Sequence, residues 1–122
     1  MKKRIYYHDT DAGGVVYYGN YLKYLEESRT EFLEQKGIKA HGDFLYAVRK
    51  CNITYKAPAR YGDTIRCESV LTKMTAAQLF FEQTILNDVN GQILVTAEVH
   101  LVCLTPDFKP VAISDEIRDK LQ

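Results

Sequence analysis

From Arg49 to Leu104 the sequence changes side at every second residue, and that alternation leaves few folds open. "RKCNITYKA" sets Cys51, Ile53 and Tyr55 on one face, and Pro58 ends the run. "DTIRCESVL" sets Ile65, Cys67, Ser69 and Leu71 together. "LFFEQTIL" sets Leu79, Phe81 and Ile85 on one side and Phe80 and Leu86 on the other. "QILVTAEVHLVCL" is the longest run, with Ile93, Val95, Ala97, Val99, Leu101 and Cys103 on a single face. Successive side chains of a strand point to opposite faces, so these runs predict four strands with one buried face. Asn90-Gly91, between the last two, predicts a two-residue hairpin because both residues tolerate positive φ. Strands this regular with short turns predict an antiparallel meander.

An apolar sheet face needs a cover. The one long helical pattern runs from about Tyr21 to Lys36, where Tyr21, Leu22, Leu25, Phe32 and Leu33 form an apolar stripe. Glu26, Glu27, Glu31, Glu34 and Lys36 cover the rest. Asn20 is the expected N-cap and Gly37 the expected C′ residue. Lys3 to His8 is aromatic and β-branched and predicts a strand, and Asp9 to Gly14 predicts a turn. Lys39 to Phe44 is expected to be a loop, and Ser114 to Leu121 a short closing helix capped by Ser114. The expected class is α+β: one domain over residues 1–122, with a long helix lying across a curved antiparallel sheet of about five strands.

Length and composition narrow the function. A chain of 122 residues suits a single core without staples. Its 16 basic and 16 acidic residues balance, which argues against a general nucleic-acid binder. Cys51, Cys67 and Cys103 form no CxxC pair and fall within apolar alternations, so they read as buried, reduced thiols of a cytoplasmic protein with neither a zinc site nor a disulfide framework. The basic start "MKKRIYYHD" lacks the apolar run of a signal peptide, and no stretch is long and apolar enough for a membrane span.

The chemistry concentrates in "YYHDTDAGGVVYYGNY", Tyr6 to Tyr21. Asp9 and Asp11 lie between a strand end and a helix start, where unpaired amides and a partial positive charge favour a carboxylate, a phosphate or a forming oxyanion. Gly13, Gly14 and Gly19 let the backbone approach a ligand closely. A carboxylate there can act on water as a base or attack a carbonyl carbon. The same pair is also what an ordinary acidic turn looks like. A metal site from His8, Asp9 and Asp11 lacks further ligands, since His41 and His100 are isolated in sequence. "DTDAG" looks like the start of a haloacid dehalogenase-type phosphatase, but that fold needs a parallel sheet and a longer chain. No GxSxG supports a serine triad.

"RIYYHDTDAGGVVYYGNYLKYLEESRTEFL", Arg4 to Leu33, resembles the signature of the hotdog-fold acyl-CoA thioesterases of the 4-hydroxybenzoyl-CoA thioesterase class, and among them the YbgC type. The pattern YxxDTDAxGVVYxxxYxxxxExxRTExL runs through it without a gap. "PARYGD", Pro58 to Asp63, resembles the segment joining the second and third strands of that fold. The resemblance implies hydrolysis of an acyl-CoA thioester with no cofactor and no metal. Asp11 takes the catalytic position, and Tyr18 stands where an amide at the helix start polarises the thioester carbonyl. Asp9 becomes a supporting residue, and Glu26 and Arg29 a structural pair. Gly14, Val15, Gly19 and Asn20 are implied to frame the substrate, with His8 as a candidate beside them whose other reading is core or turn packing. Many YbgC-type members carry His where this chain has Tyr18. Arg60, Lys56, Lys73 and Arg66 are candidates for the CoA phosphates. Tyr7, Tyr17, Tyr18 and Tyr21 suit an apolar or aromatic acyl group, although core packing accounts for them as well. Family behaviour implies a homodimer or homotetramer, and leaves acyl carrier protein as a second acyl donor and a non-catalytic acyl-binding protein as the alternative function.

Overall fold

The computed structural model describes residues 1–39 and 42–122. His41, and with it part of the expected Lys39–Phe44 loop, lies outside the described residues. In chain order the elements are β1 (Lys2–Arg4), a 3-10 turn (Tyr7–Asp9), α1 (Asn20–Gln35), β2 (Leu45–Tyr55), β3 (Thr64–Met74), β4 (Gln78–Asn87), β5 (Ile93–Leu104) and α2 (Asp115–Leu121). The five strands form one antiparallel sheet in the order β1-β3-β4-β5-β2.

The expected strands and helices are all present, but the sheet is not a simple meander. Only β3, β4 and β5 follow one another; β2 pairs with β5, Ile53 opposite Ala97 and Tyr55 opposite Val95. Segment 56–63 therefore carries the chain from one edge of the sheet towards the other, pinned on the way by the Val16 amide donating to the Ala59 carbonyl at 2.9 Å. This order leaves β2 as a long edge strand. Its consequence for the cysteines is direct: Cys67 and Cys103 are buried as expected, whereas Cys51, on the edge strand that no other strand borders on its outer side among the described residues, is exposed.

The first strand is shorter than its composition suggests. Pairing with β3 stops at Arg4, and the Tyr6 amide turns away to donate to Asp9 Oδ2 at 2.9 Å. The Asp9 amide donates back to the Tyr6 carbonyl at 3.0 Å, closing a 3-10 turn where a strand was expected. The β4–β5 connection is likewise longer than two residues. The Asn87 carboxamide oxygen accepts from the Val89 and Asn90 amides, so the turn opens to four residues before Gln92 pairs back to Asn87. Gly91 supplies its positive φ of 74°.

Helix α1 packs on the inner face of the sheet. Tyr24, Leu25 and Leu33 join Phe81, Ile85, Val95 and Val99 in one core. The Phe32 and Phe81 rings meet edge to face with centroids 5.4 Å apart. Leu22 is exposed, contrary to the expected stripe, while Ser28 and Arg29 are buried. The inner face of the sheet is polar at that point. Gln83 is 1% exposed, donates to the Leu25 carbonyl at 2.9 Å and accepts from Arg29 at 3.1 Å. Arg29 thus turns inward to an amide and forms no ion pair with Glu26 among the described residues. Burial pulls its guanidinium below its ordinary value.

The helix ends follow local chemistry. Gly37 has φ 78°, and the Ile38 amide donates to the Leu33 carbonyl while Gly37 donates to Glu34, satisfying the last carbonyls in a Schellman arrangement. Ser114 caps α2 as expected, its Oγ accepting from the Ile117 amide at 3.3 Å. At the start of α1 the cap is Gly19 and not Asn20. Asn20 is the first helical residue, and its side chain donates to the Asp9 carbonyl at 3.0 Å. That pull towards Asp9 is why its carboxamide does not cap the helix.

Candidate active site

The two aspartates have opposite surroundings. Asp9 is 2% exposed. Its Oδ1 accepts from the Tyr24 hydroxyl at 3.0 Å and its Oδ2 from the Tyr6 amide. Its carbonyl accepts from the Tyr17 amide at 3.0 Å as well as from Asn20. Burial alone would push this carboxyl up, but the two donors, with His8 and Lys3 nearby, outweigh that and hold it below its ordinary value. The same contact, with burial leading, pushes the Tyr24 hydroxyl well up. Asp9 thereby ties together the end of β1, the 3-10 turn, residue 17 and the first turns of α1.

Asp11 is exposed, two residues further on. It heads a tight turn in which its amide donates to the Val15 carbonyl at 2.9 Å and its carbonyl accepts from Gly14 at 3.0 Å. Gly14 has φ 77°, a conformation a side chain would strain. Asp11 Oδ1 accepts from the Gly13 amide at 2.8 Å, which aims the carboxylate while leaving Oδ2 without a protein donor among the described residues. A methyl group at Gly13 would stand 3.2 Å from Oδ1, so glycine keeps this face clear.

The amides at the helix start are not equally available. Asn20, Tyr21 and Leu22 donate to the carbonyls of Tyr17, Tyr18 and Gly19 in 3-10 fashion. Among the described residues the Tyr18 and Gly19 amides donate to no protein acceptor. Any oxyanion site here therefore rests on those two and not on the helix end as a whole. Glycine at 19 leaves room for the Tyr17 ring: a Cβ there would lie 2.7 Å from it, and the exposed ring would have to turn aside.

Asp11, Val15, Val16, Tyr18, Tyr21, Tyr55, Lys56, Ala57 and Pro58 enclose a cavity of about 400 Å³. Of the site candidates read from sequence, Asp11, Val15 and Tyr18 come together here, with Lys56 beside them. Gly14, Gly19 and Asn20 shape the loop and helix start behind them. Arg60 pairs by its backbone with Val15 at the rim. His8 does not reach the cavity: it stacks on Tyr6 with centroids 6.1 Å apart, its Nε2 3.8 Å from Asp9 Oδ1. Tyr7 and Tyr17 are exposed outside it. Tyr55, Ala57 and Pro58 were not singled out from sequence as wall residues. Their signal was available, since Tyr55 ends an alternation and Pro58 follows three residues later. Among the described residues no group of three His, Cys, Asp or Glu is gathered as metal ligands.

Residues 6–121 match the family model of the thioesterase-like superfamily. The chain belongs to this superfamily. Its superfamily relatives include the acyl-CoA thioester hydrolase YbgC of Escherichia coli O6:H1, 40% identical over 120 residues that cover 93% of this chain and 88% of that one. A solved probable thioesterase from Bartonella henselae superposes with a TM-score of 0.84 at 31% identity, covering 93% of this chain and 96% of that one. A 1,4-dihydroxy-2-naphthoyl-CoA thioesterase from Synechocystis superposes with a TM-score of 0.88 at 24% identity over 99% of this chain and 93% of its own, a likeness of fold alone. The hotdog fold expected from Arg4–Leu33 is the fold this superfamily member adopts, as an open sheet laid against its long helix.

Proposed function

We propose that this protein is an acyl-CoA thioesterase in which Asp11 acts on the thioester carbonyl and the Tyr18 and Gly19 amides receive the oxyanion. The observation that carries this reading is the cavity of about 400 Å³, apolar on most walls, with an aimed and exposed carboxylate at its edge. That volume suits a small acyl group. Membership of the superfamily supports the reaction class.

Two routes balance. Asp11 either attacks the carbonyl carbon, expelling CoA thiolate and leaving a mixed anhydride that water cleaves, or it removes a proton from water, which attacks directly. In both the carbonyl oxygen gains charge, and one well-placed amide donor stabilises such charge by about 3 kcal/mol. Tyr18 supplies its backbone amide irrespective of its side chain, so the tyrosine in place of histidine leaves this role intact. Lys56 lines the cavity and Arg60 pairs by its backbone with Val15 beside it, and both are candidates for the CoA phosphates. His8, away from the cavity, is not needed in either route.

The β2 edge, 11 residues long and paired only with β5 among the described residues, turns the amides and carbonyls of alternate residues outward. A second copy pairing there would satisfy them, which favours a homodimer that can pair again into a homotetramer. No described helix is long and apolar enough to cross a membrane. Acyl carrier protein carries the same thioester and is the second donor to test, and a cytoplasmic location fits the reduced thiols.

The test is hydrolysis of an acyl-CoA panel and a generic phosphate ester by the wild type and Asp11→Asn, with and without EDTA. Thioesterase activity that survives EDTA and collapses in Asp11→Asn is expected. Full activity in the variant overturns the role of Asp11. Phosphatase activity lost with EDTA replaces the whole reading, and binding without turnover makes the protein a non-catalytic acyl-CoA or acyl-carrier-protein binding protein instead.

A further inference from the structure

One wall of the cavity stands apart from the rest. Tyr21 is buried, and its hydroxyl accepts from the Ala59 amide at 3.0 Å, so its ring is fixed from behind. Tyr55 stands on the last residue of β2, its ring 5.7 Å from Tyr21 and 6.1 Å from Tyr18, edge to face with the latter at 87°. Its hydroxyl reaches the Tyr18 carbonyl at 3.5 Å, the outer limit of a hydrogen bond. Tyr55 is 44% exposed, so one part of its ring is committed to the other tyrosines and another is open. It is thus the residue that joins the fixed back of the cavity to the exposed Tyr18 at its lip.

We infer that Tyr55 is the specificity-determining residue of this pocket, its ring favouring flat, conjugated acyl groups over flexible aliphatic ones of similar size. This rests on the assignment of the cavity as the acyl site. Two physical terms carry it. Aromatic rings in offset or edge-to-face contact gain attraction beyond the area they bury. A flat acyl group also enters with few torsions to freeze, whereas an alkyl chain loses rotamer freedom on the same surface. Tyr55 supplies the ring on a strand, a more rigid mount than the loop that carries Tyr18. The preference lies in the ring and not in the hydroxyl, whose one bond is long.

The experiment compares kcat/KM for benzoyl-CoA with kcat/KM for hexanoyl-CoA in the wild type, Tyr55→Ala and Tyr55→Phe. The ratio should favour benzoyl-CoA in the wild type, fall about tenfold in Tyr55→Ala and stay within about twofold in Tyr55→Phe. A ratio below one in the wild type, an unchanged ratio in Tyr55→Ala, or a fall in Tyr55→Phe as large as that in Tyr55→Ala overturns the inference. NMR titrations of the same proteins with benzoate and hexanoate separate this from the hydrolytic reading. If the wild type cleaves neither ester, benzoate affinity that depends on the Tyr55 ring upholds the pocket assignment while hydrolysis is abandoned. Benzoate affinity indifferent to Tyr55→Ala sinks it.

Discussion

Asp9 and Asp11 are separated by one residue and could hardly be placed more differently. Asp9 is buried and its carboxylate has two donors, a strand-end amide and a helix hydroxyl. Asp11 is exposed and holds one donor within its own turn. The contrast separates two uses of one side chain. A carboxylate whose lone pairs are engaged holds backbone together, and a carboxylate with a free oxygen beside a cavity can do chemistry. The second depends on the first, because the loop bearing Asp11 begins at the residue Asp9 anchors and returns to it through the Tyr17 amide.

That division can be broken at several points. The largest expected effect is on turnover: Asp11→Asn should lower kcat by about 10²–10⁴, the range of a lost base or nucleophile, in an acyl-CoA assay. Next comes Asp9→Asn, which leaves the Tyr6 amide or the Tyr24 hydroxyl facing a donor. A loss of about 2–3 kcal/mol in urea unfolding is expected, since bonds to a buried charge are involved. Tyr24→Phe removes one of those bonds and should cost about 1–2 kcal/mol by the same measurement. Gly19→Ala sets a methyl group against the exposed Tyr17 ring, which can turn aside, and should change stability by no more than about 0.5 kcal/mol in urea unfolding.

The pH dependence sharpens the same comparison. The folded-state value of Asp9 is held down, so its contribution to stability is fully present above the unfolded carboxylate value of about 4. It is lost as pH falls from there through the lower folded value. Thermal melts of the wild type should therefore show a fall in Tm below about pH 4 that is shallower in Asp9→Asn. An equal slope in both would remove Asp9 as its source.

Much of this was legible in the sequence, for reasons that differ by element. The strands were visible because a half-covered sheet imposes a period of two, and α1 because its 3.6-residue pattern ends at Gly37. The place of β2 beside β5 was not, since strand order depends on contacts across some fifty residues that no local pattern records. The exposure of Cys51 follows from that order. The turn after Asn87 is longer than the Asn90-Gly91 pair alone predicts because the Asn87 side chain organises it together with those two residues. Spacing alone could not rank the two aspartates: both suit a turn, and the hydroxyl that engages the buried Asp9 comes from Tyr24, 15 residues away. The resemblance of Arg4–Leu33 to a thioesterase signature ranked them. It also drew attention to the helix end, where the structure narrows the free amides to Tyr18 and Gly19.

The most direct measurement is a paired one: the urea midpoint and kcat on an acyl-CoA, taken on the same preparations of wild type, Asp9→Asn and Asp11→Asn. Asp11→Asn should keep the wild-type midpoint and lose turnover, while Asp9→Asn should lose midpoint and turnover together. An Asp11→Asn protein that turns over normally, or that unfolds as early as Asp9→Asn, would contradict the division of labour between the two carboxylates.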